Sequence, residues 1–302
     1  MEINLALGGG GAKGFAHLGV LRGLEREGYQ VKAIAGTSAG GIVGALYAAG
    51  YSVDEMVAHF VQIDRANLYG RQPGDGPSLL GVAGVNHLMK EMLGERTFEE
   101  LPIPLALTAV DLNTGGEVVL RHGRVVDAVL ATMALPGIFP PQTWEEYYLV
   151  DGGLLDPVPV APVRALSPSL PVVAVALTKP SPSPVHTLEA PAFLKNVPVL
   201  NQITRLRVAQ AFNIFLHALD IGNIYITELR LQIDRPDVII RPDVADINLL
   251  DRVDVHEVMG RGEAAFAEAL RELRLAQRWD RSLVRRWRYR EPPSGVDVPI
   301  RG

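Results

Sequence analysis

Twice in its first 50 residues the chain runs from a short apolar segment through a glycine-rich turn into a stretch of helical periodicity. The first passage is Ile3-Asn4-Leu5-Ala6-Leu7, then Gly8-Gly9-Gly10-Gly11-Ala12-Lys13-Gly14, then Phe15 to Glu27. Phe15, Leu18, Val20, Leu21 and Leu24 form an apolar stripe, and Gly28 closes the helix. The second passage is Val31 to Ala35, the turn Gly36-Thr37-Ser38-Ala39-Gly40, and a small-residue helix to Ala49. Strand, tight turn and helix repeated in this order predict an α/β domain with a largely parallel core sheet.

The rest of the chain extends the alternation. A capping box, Ser52-Val53-Asp54-Glu55, opens a third helix. Residues 66–84 read as a long Gly- and Pro-rich loop, and loops of that length in compact domains are often functional. Asn86 to Leu93 and Val125 to Met133 read as helices, and Ile103 to Val110, Glu117 to Leu120, Tyr147 to Val150 and Val172 to Leu177 as strands. A proline-rich connection over 180–198 leads to a helix from Leu200 to about Leu219. Val238 to Arg241 then reads as a strand and Val255 to about Arg274 as a helix. The expected division is one domain over 1–275 and a basic tail over 276–302, where arginines interleave with Trp279, Trp287 and Tyr289. That tail suits either an interfacial segment for anionic lipid or a helix packed on protein with its arginines solvated.

Composition excludes several chemistries. The chain has 302 residues and no cysteine, so disulfides, thiol nucleophiles and thiolate-held metals are ruled out. A net charge of −5 argues against a nucleic-acid partner. No charged n-region and apolar h-region open the sequence. No run reaches the ~18–20 apolar residues that a spanning helix needs. The expectation is a cytoplasmic protein whose membrane contact, if any, is peripheral at the inner face.

Three segments carry the chemistry. A serine in Gly36-Thr37-Ser38-Ala39-Gly40, set between strand and helix, occupies a strained turn that pushes its hydroxyl out of the sheet; the rival reading is a glycine turn with an incidental serine. The glycine run fits an oxyanion hole, because Gly9, Gly10 and Gly11 can offer backbone N–H groups without steric cost. Gly9-x-Gly11-x-x-Gly14 also fits a dinucleotide fingerprint, but that needs an acid at the end of the second strand, which instead ends Ala35-Gly36-Thr37-Ser38. A P-loop fails because Lys13 precedes Gly14. None of the seven histidines sits at a strand end followed by small residues. Asp151 does: it leaves Tyr147-Tyr148-Leu149-Val150 and is followed by Gly152-Gly153. A carboxylate there could accept the serine proton, or belong to an ordinary Asp-Gly turn.

Together these segments resemble the patatin-like phospholipase family. Its glycine-rich loop maps to Gly9-Gly10-Gly11-Ala12-Lys13-Gly14, its nucleophile turn to Gly36-Thr37-Ser38-Ala39-Gly40, and its distal acid to Asp151-Gly152-Gly153. Thr97-Phe98-Glu99-Glu100-Leu101, the run from Ala134 to Pro141, Asp156-Pro157-Val158-Pro159-Val160 and Ile240-Arg241-Pro242-Asp243-Val244 look like segments of bacterial members. The resemblance covers roughly residues 3–180 and a patch near 236–247. It implies a three-layer α/β/α sandwich and a lipid or fatty-acyl ester substrate. It also implies hydrolysis by a Ser38–Asp151 dyad without metal or cofactor. An acyltransferase using the same dyad and a non-catalytic nucleotide-binding module remain the alternatives. Head group, acyl chain and oligomeric state are not legible.

Overall fold

The computed structural model describes residues 1–62, 68–71, 75–144, 146–179 and 202–277, with the backbone alone over 202–213. The expected 180–198 connection and the basic tail beyond Gln277 lie outside these residues, as does part of the 66–84 loop. The strands are β1 (Glu2–Leu7), β2 (Gln30–Gly36), β3 (Leu105–Asp111), β4 (Gly116–Leu120), β5 (Gln142–Trp144), β6 (Tyr147–Asp151), β7 (Val172–Val175) and β8 (Val238–Ile240). The helices are α1 (Ala16–Arg26), α2 (Ala39–Ala48), α3 (Val53–Gln62), α4 (Ala83–Leu93), α5 (Val125–Thr132), α6 (Val160–Leu166), α7 (Gln202–Asp234) and α8 (Val255–Ala276).

The strands form one eight-stranded sheet in the order β5-β6-β3-β2-β1-β7-β8, with β4 on β3. Pairings from β3 through β8 are parallel, while β4, β5 and β6 run antiparallel to their neighbours. Period-2 alternation splits the central strands between two cores. Ile3, Leu5 and Leu7 of β1, with Val173 and Val175 of β7, join one buried cluster with residues of α1, α2, α5 and α8. Ala6, Ala33, Ala35, Ala106 and Ala174 face the other way, onto Val160 and Val163 of α6 and Leu231 of α7. Alanine dominates this second face because a short helix lies close against it. Helix layers on both sides make the expected three-layer sandwich.

One irregularity builds the site. Alternate hydrogen-bonding groups of a strand point to opposite edges. Ile34 N–H donates to Pro104 O, and Leu112 N–H donates to Tyr148 O, so β2 and β6 both bind β3 through even-numbered residues. They therefore share one edge of β3, and β4 takes the other. Gly36 at the end of β2 pairs with Leu107, and Asp151 at the end of β6 pairs with Ala109. The two strands meet end to end over Thr108, ~7 Å apart along β3.

Several elements depart from their expected bounds. A 3₁₀ turn over Gly11–Phe15 precedes α1, and α4 begins three residues early, at Ala83. The capping box at Ser52 forms, with Ser52 N–H donating to Glu55 Oε2 at 2.8 Å and Glu55 N–H to Ser52 Oγ at 3.3 Å. Helix α6 is not among the elements expected from the sequence. Pro162 lies in the first turn, where its missing N–H is no loss. Helix α7 runs 15 residues past the expected Leu219, to Asp234.

Candidate active site

Ser38 caps the N-terminus of α2 with φ 53° and ψ −121°. Among the described residues only Arg235 is another non-glycine with positive φ. Backbone in this region is costly for a residue with a Cβ and persists only where its surroundings enforce it. The neighbouring glycines are part of that enforcement. A Cβ on Gly36 would lie 2.6 Å from Gly40 O, and one on Gly40 would strike Leu7 O. Thr37 N–H donates to Leu7 O at 3.1 Å, and Ser38 N–H donates to Thr132 Oγ1 at 3.0 Å.

Asp151 meets this turn from β6. It is 5% exposed, and the Ser38 side chain beside it favours its ionised form. Gly153 N–H donates to Asp151 Oδ1 at 2.8 Å. Burial outweighs both effects and pushes the carboxyl from its ordinary value up to about 6. Above that pH the group is an ionised base, stronger than a solvated carboxylate and beside the hydroxyl it would deprotonate. Gly152 is required by packing, since a Cβ would collide with Thr108 Oγ1. Thr108 Oγ1 in turn lies 2.7 Å from Thr37 Oγ1, flooring the gap between the two strand ends.

The glycine loop is pinned on one side and open on the other. Gly8 N–H donates to Val175 O at 3.0 Å, Gly9 N–H to Pro157 O at 2.9 Å, and Gly8 O bonds His17 Nε2 at 2.8 Å. His17 is fully buried, which lowers its pKa to about 4, so the neutral ring donates from Nε2. The expectation that Gly9 supplies an oxyanion donor is corrected: its N–H is engaged by Pro157. What Gly9 provides is space, because a Cβ there would lie 3.3 Å from Ser38 Cβ. The N–H groups of Gly10 and Gly11 have no partner among the described residues. Gly11 has φ 55°, and a Cβ on it would collide with Leu249 O. Gly14 lets α2 approach, since its Cβ would lie 2.6 Å from that of Ala39.

Helix α7 roofs this arrangement, which the sequence did not disclose. Buried Lys13 places Nζ 3.7 Å from Asp220 of α7, and Asn223 Nδ2 lies 3.6 Å from where a Gly153 Cβ would stand. Further along, Arg230 contacts Asp156 at 2.9 Å, Glu117 at 3.0 Å and Asp234 at 3.6 Å. Asp156 is fully buried, and desolvation raises its pKa to about 7 despite the guanidinium. Its main-chain oxygen accepts from Thr37 Oγ1 at 2.8 Å, so the α7 anchor reaches the Ser38 turn. Neither Ser38 nor Asp151 has a histidine among its hydrogen-bond partners in the described residues.

The sequence profile of the family described as patatin-like phospholipase matches residues 5–164. An uncharacterised NTE family protein of Mycobacterium tuberculosis is 35% identical over 191 residues, covering 62% of this chain and 52% of its own length. A protein named as a lysophospholipase in Mycosarcoma maydis is 35% identical over 175 residues, 55% of this chain and 9% of that protein. The chain thus spans about half, or less, of the length of the curated relatives it matches. Among solved structures, VipD from Legionella pneumophila superposes with a TM-score of 0.50 at 13% identity, covering 90% of this chain and 66% of that one. That likeness concerns the fold.

Proposed function

The chain belongs to the patatin-like phospholipase family, and from that premise we propose that it is a lipid acyl hydrolase working through Ser38 and Asp151. The observation that carries this reading is a serine on a strained turn placed beside a buried carboxylate whose pKa is raised to about 6. In the first half-reaction Asp151 takes the hydroxyl proton as Ser38 Oγ attacks the ester carbonyl. The N–H groups of Gly10 and Gly11 and the N-terminus of α2 stabilise the oxyanion. Asp151 then returns the proton to the leaving alcohol, and an acyl-enzyme remains. In the second half Asp151 activates water against the acyl-enzyme and fatty acid departs. A base titrating near 6 serves both directions at neutral pH, since it is ionised yet readily protonated.

The unit proposed to fold around this site is residues 1–275. No helix of the described residues is long and apolar enough to cross a membrane. Access to lipid is proposed as peripheral, from the cytoplasmic side. The test is turnover of lysophospholipids, diacyl phospholipids and short-chain esters by the native chain, Ser38→Ala, Asp151→Ala and the double variant. Both single variants should lose hydrolysis, and the double variant should be little worse than either, because the pair acts as one unit. Near-native turnover in Ser38→Ala would overturn the reading.

A further inference from the structure

We propose that Thr132 is a positioning residue, which with Ala134 fixes the reach between nucleophile and base. The inference rests on the Ser38–Asp151 reading. Thr132 is the last residue of α5 and is fully buried. Its Oγ1 accepts the N–H of Ser38 at 3.0 Å. Two residues on, Ala134 O accepts the N–H of Asp151, also at 3.0 Å. The main-chain donors of both dyad members, 113 positions apart in the chain, thus end on one span of Thr132-Met133-Ala134. That span is itself held by the final turn of α5, through Met133 N–H to Val129 O at 3.3 Å and Ala134 N–H to Ala131 O at 3.2 Å.

Two features make the hydroxyl more than a packing group. A threonine near a helix end ordinarily turns its hydroxyl to a carbonyl one turn back; here the oxygen accepts from another element. The methyl is also fixed: a Cβ on Gly41 would lie 2.7 Å from Thr132 Cγ2, so α2 and Thr132 interlock. With the methyl seated against α2, the oxygen faces the N–H of Ser38, whose positive φ needs an anchor. Release of that N–H frees the Ser38 turn to relax, and the hydroxyl drifts from Asp151. A displacement near 1 Å in a reacting pair costs up to ~10²-fold in rate.

Three variants separate anchoring from packing. Thr132→Val keeps the shape and removes the acceptor; Thr132→Ser keeps the acceptor and removes the methyl; Ser38→Ala serves as the dyad control. On the proposal, Thr132→Val lowers kcat roughly 10- to 100-fold with KM within about twofold. Its acid limb also moves upward, because the Ser38 side chain's lowering of the Asp151 pKa is weakened. Thr132→Ser should restore kcat to within about threefold of native. Native kcat in Thr132→Val, or a Thr132→Ser as slow as Thr132→Val, would overturn the proposal while an inactive Ser38→Ala left the dyad standing. If Thr132→Val does not fold, Thr132→Ser decides alone: a tenfold fall in kcat assigns Thr132 to packing. Turnover persisting in Ser38→Ala would remove the dyad and this inference together.

Discussion

Replacing Asp151 by asparagine should abolish hydrolysis and stabilise the fold, with a gain that grows with pH. Asparagine keeps an acceptor for Gly153 N–H and offers Ser38 Oγ a partner, so the contacts survive and only the buried charge is lost. The native carboxyl is raised from 3.8 to about 6, roughly two units at 1.36 kcal/mol each, or about 3 kcal/mol. Between those values the folded chain holds a proton that the unfolded chain has released. Native stability therefore falls as pH rises from about 4 to 6, and above 6 the full penalty of the charged form is present. The asparagine variant has no such penalty. At roughly 1.6 °C per kcal/mol for a chain of this size, its Tm should gain on the native Tm by ~3–5 °C between pH 4 and pH 8. Thermal melts of both proteins in matched buffers read this directly, and groups that titrate in both cancel. A difference in Tm that ignores pH, or a variant less stable than native at pH 8, would refute the account of Asp151 as a desolvated base.

Ser38→Gly should lack hydrolysis yet resist urea better, by about 1 kcal/mol, because glycine adopts φ 53° without strain; a lower midpoint would contradict the strained turn. Gly10→Val should lower turnover on the order of 10²–10³-fold, since its Cβ would lie 2.8 Å from Leu177 Cδ1 and the loop must shift; unchanged turnover would dismiss Gly10 as an oxyanion donor. Arg230→Met should destabilise the fold by about 3–5 kcal/mol at pH 8, because Asp156, Glu117 and Asp234 lose their shared cation. That deficit should shrink below pH 7 as Asp156, raised to about 7, takes up its proton. A deficit unchanged from pH 8 to 6 would argue against the ionised cluster.

The parts of this site legible in the sequence are those written in local chain geometry. Glycines at 36 and 40 flank a serine between a strand and a helix, and Asp151 sits at a strand end before two glycines, so periodicity and turn chemistry locate both. The division of labour within the glycine loop was not legible, because only the bond from Gly9 to Pro157 distinguishes Gly9 from Gly10 and Gly11. Thr132 ends an apolar helical run and carries no local signal; its role exists only where β2, α5 and β6 converge. Helix α7 was cut short because apolar residues occupy more than its buried side. Leu231 is buried in the core, while Ile214, Ile221, Tyr225, Leu229 and Ile233 are exposed, which blurs the usual one-stripe pattern. The end-to-end meeting of β2 and β6 was equally invisible, since periodicity marks a strand without naming the edge it joins.

If Ser38 and Asp151 form the proposed dyad, that meeting dictates when activity can appear during refolding. Gly36 needs only β3 beside it, but Asp151 reaches Ser38 only after β6 has paired with the far half of the same edge. The closure spans more than a hundred residues of chain, and long-range pairings of this kind are slow to form. A refolding chain can therefore regain most of its helix signal while still unable to cleave an ester. Recovery of turnover will lag far-ultraviolet dichroism, and the lag will report the moment β6 docks.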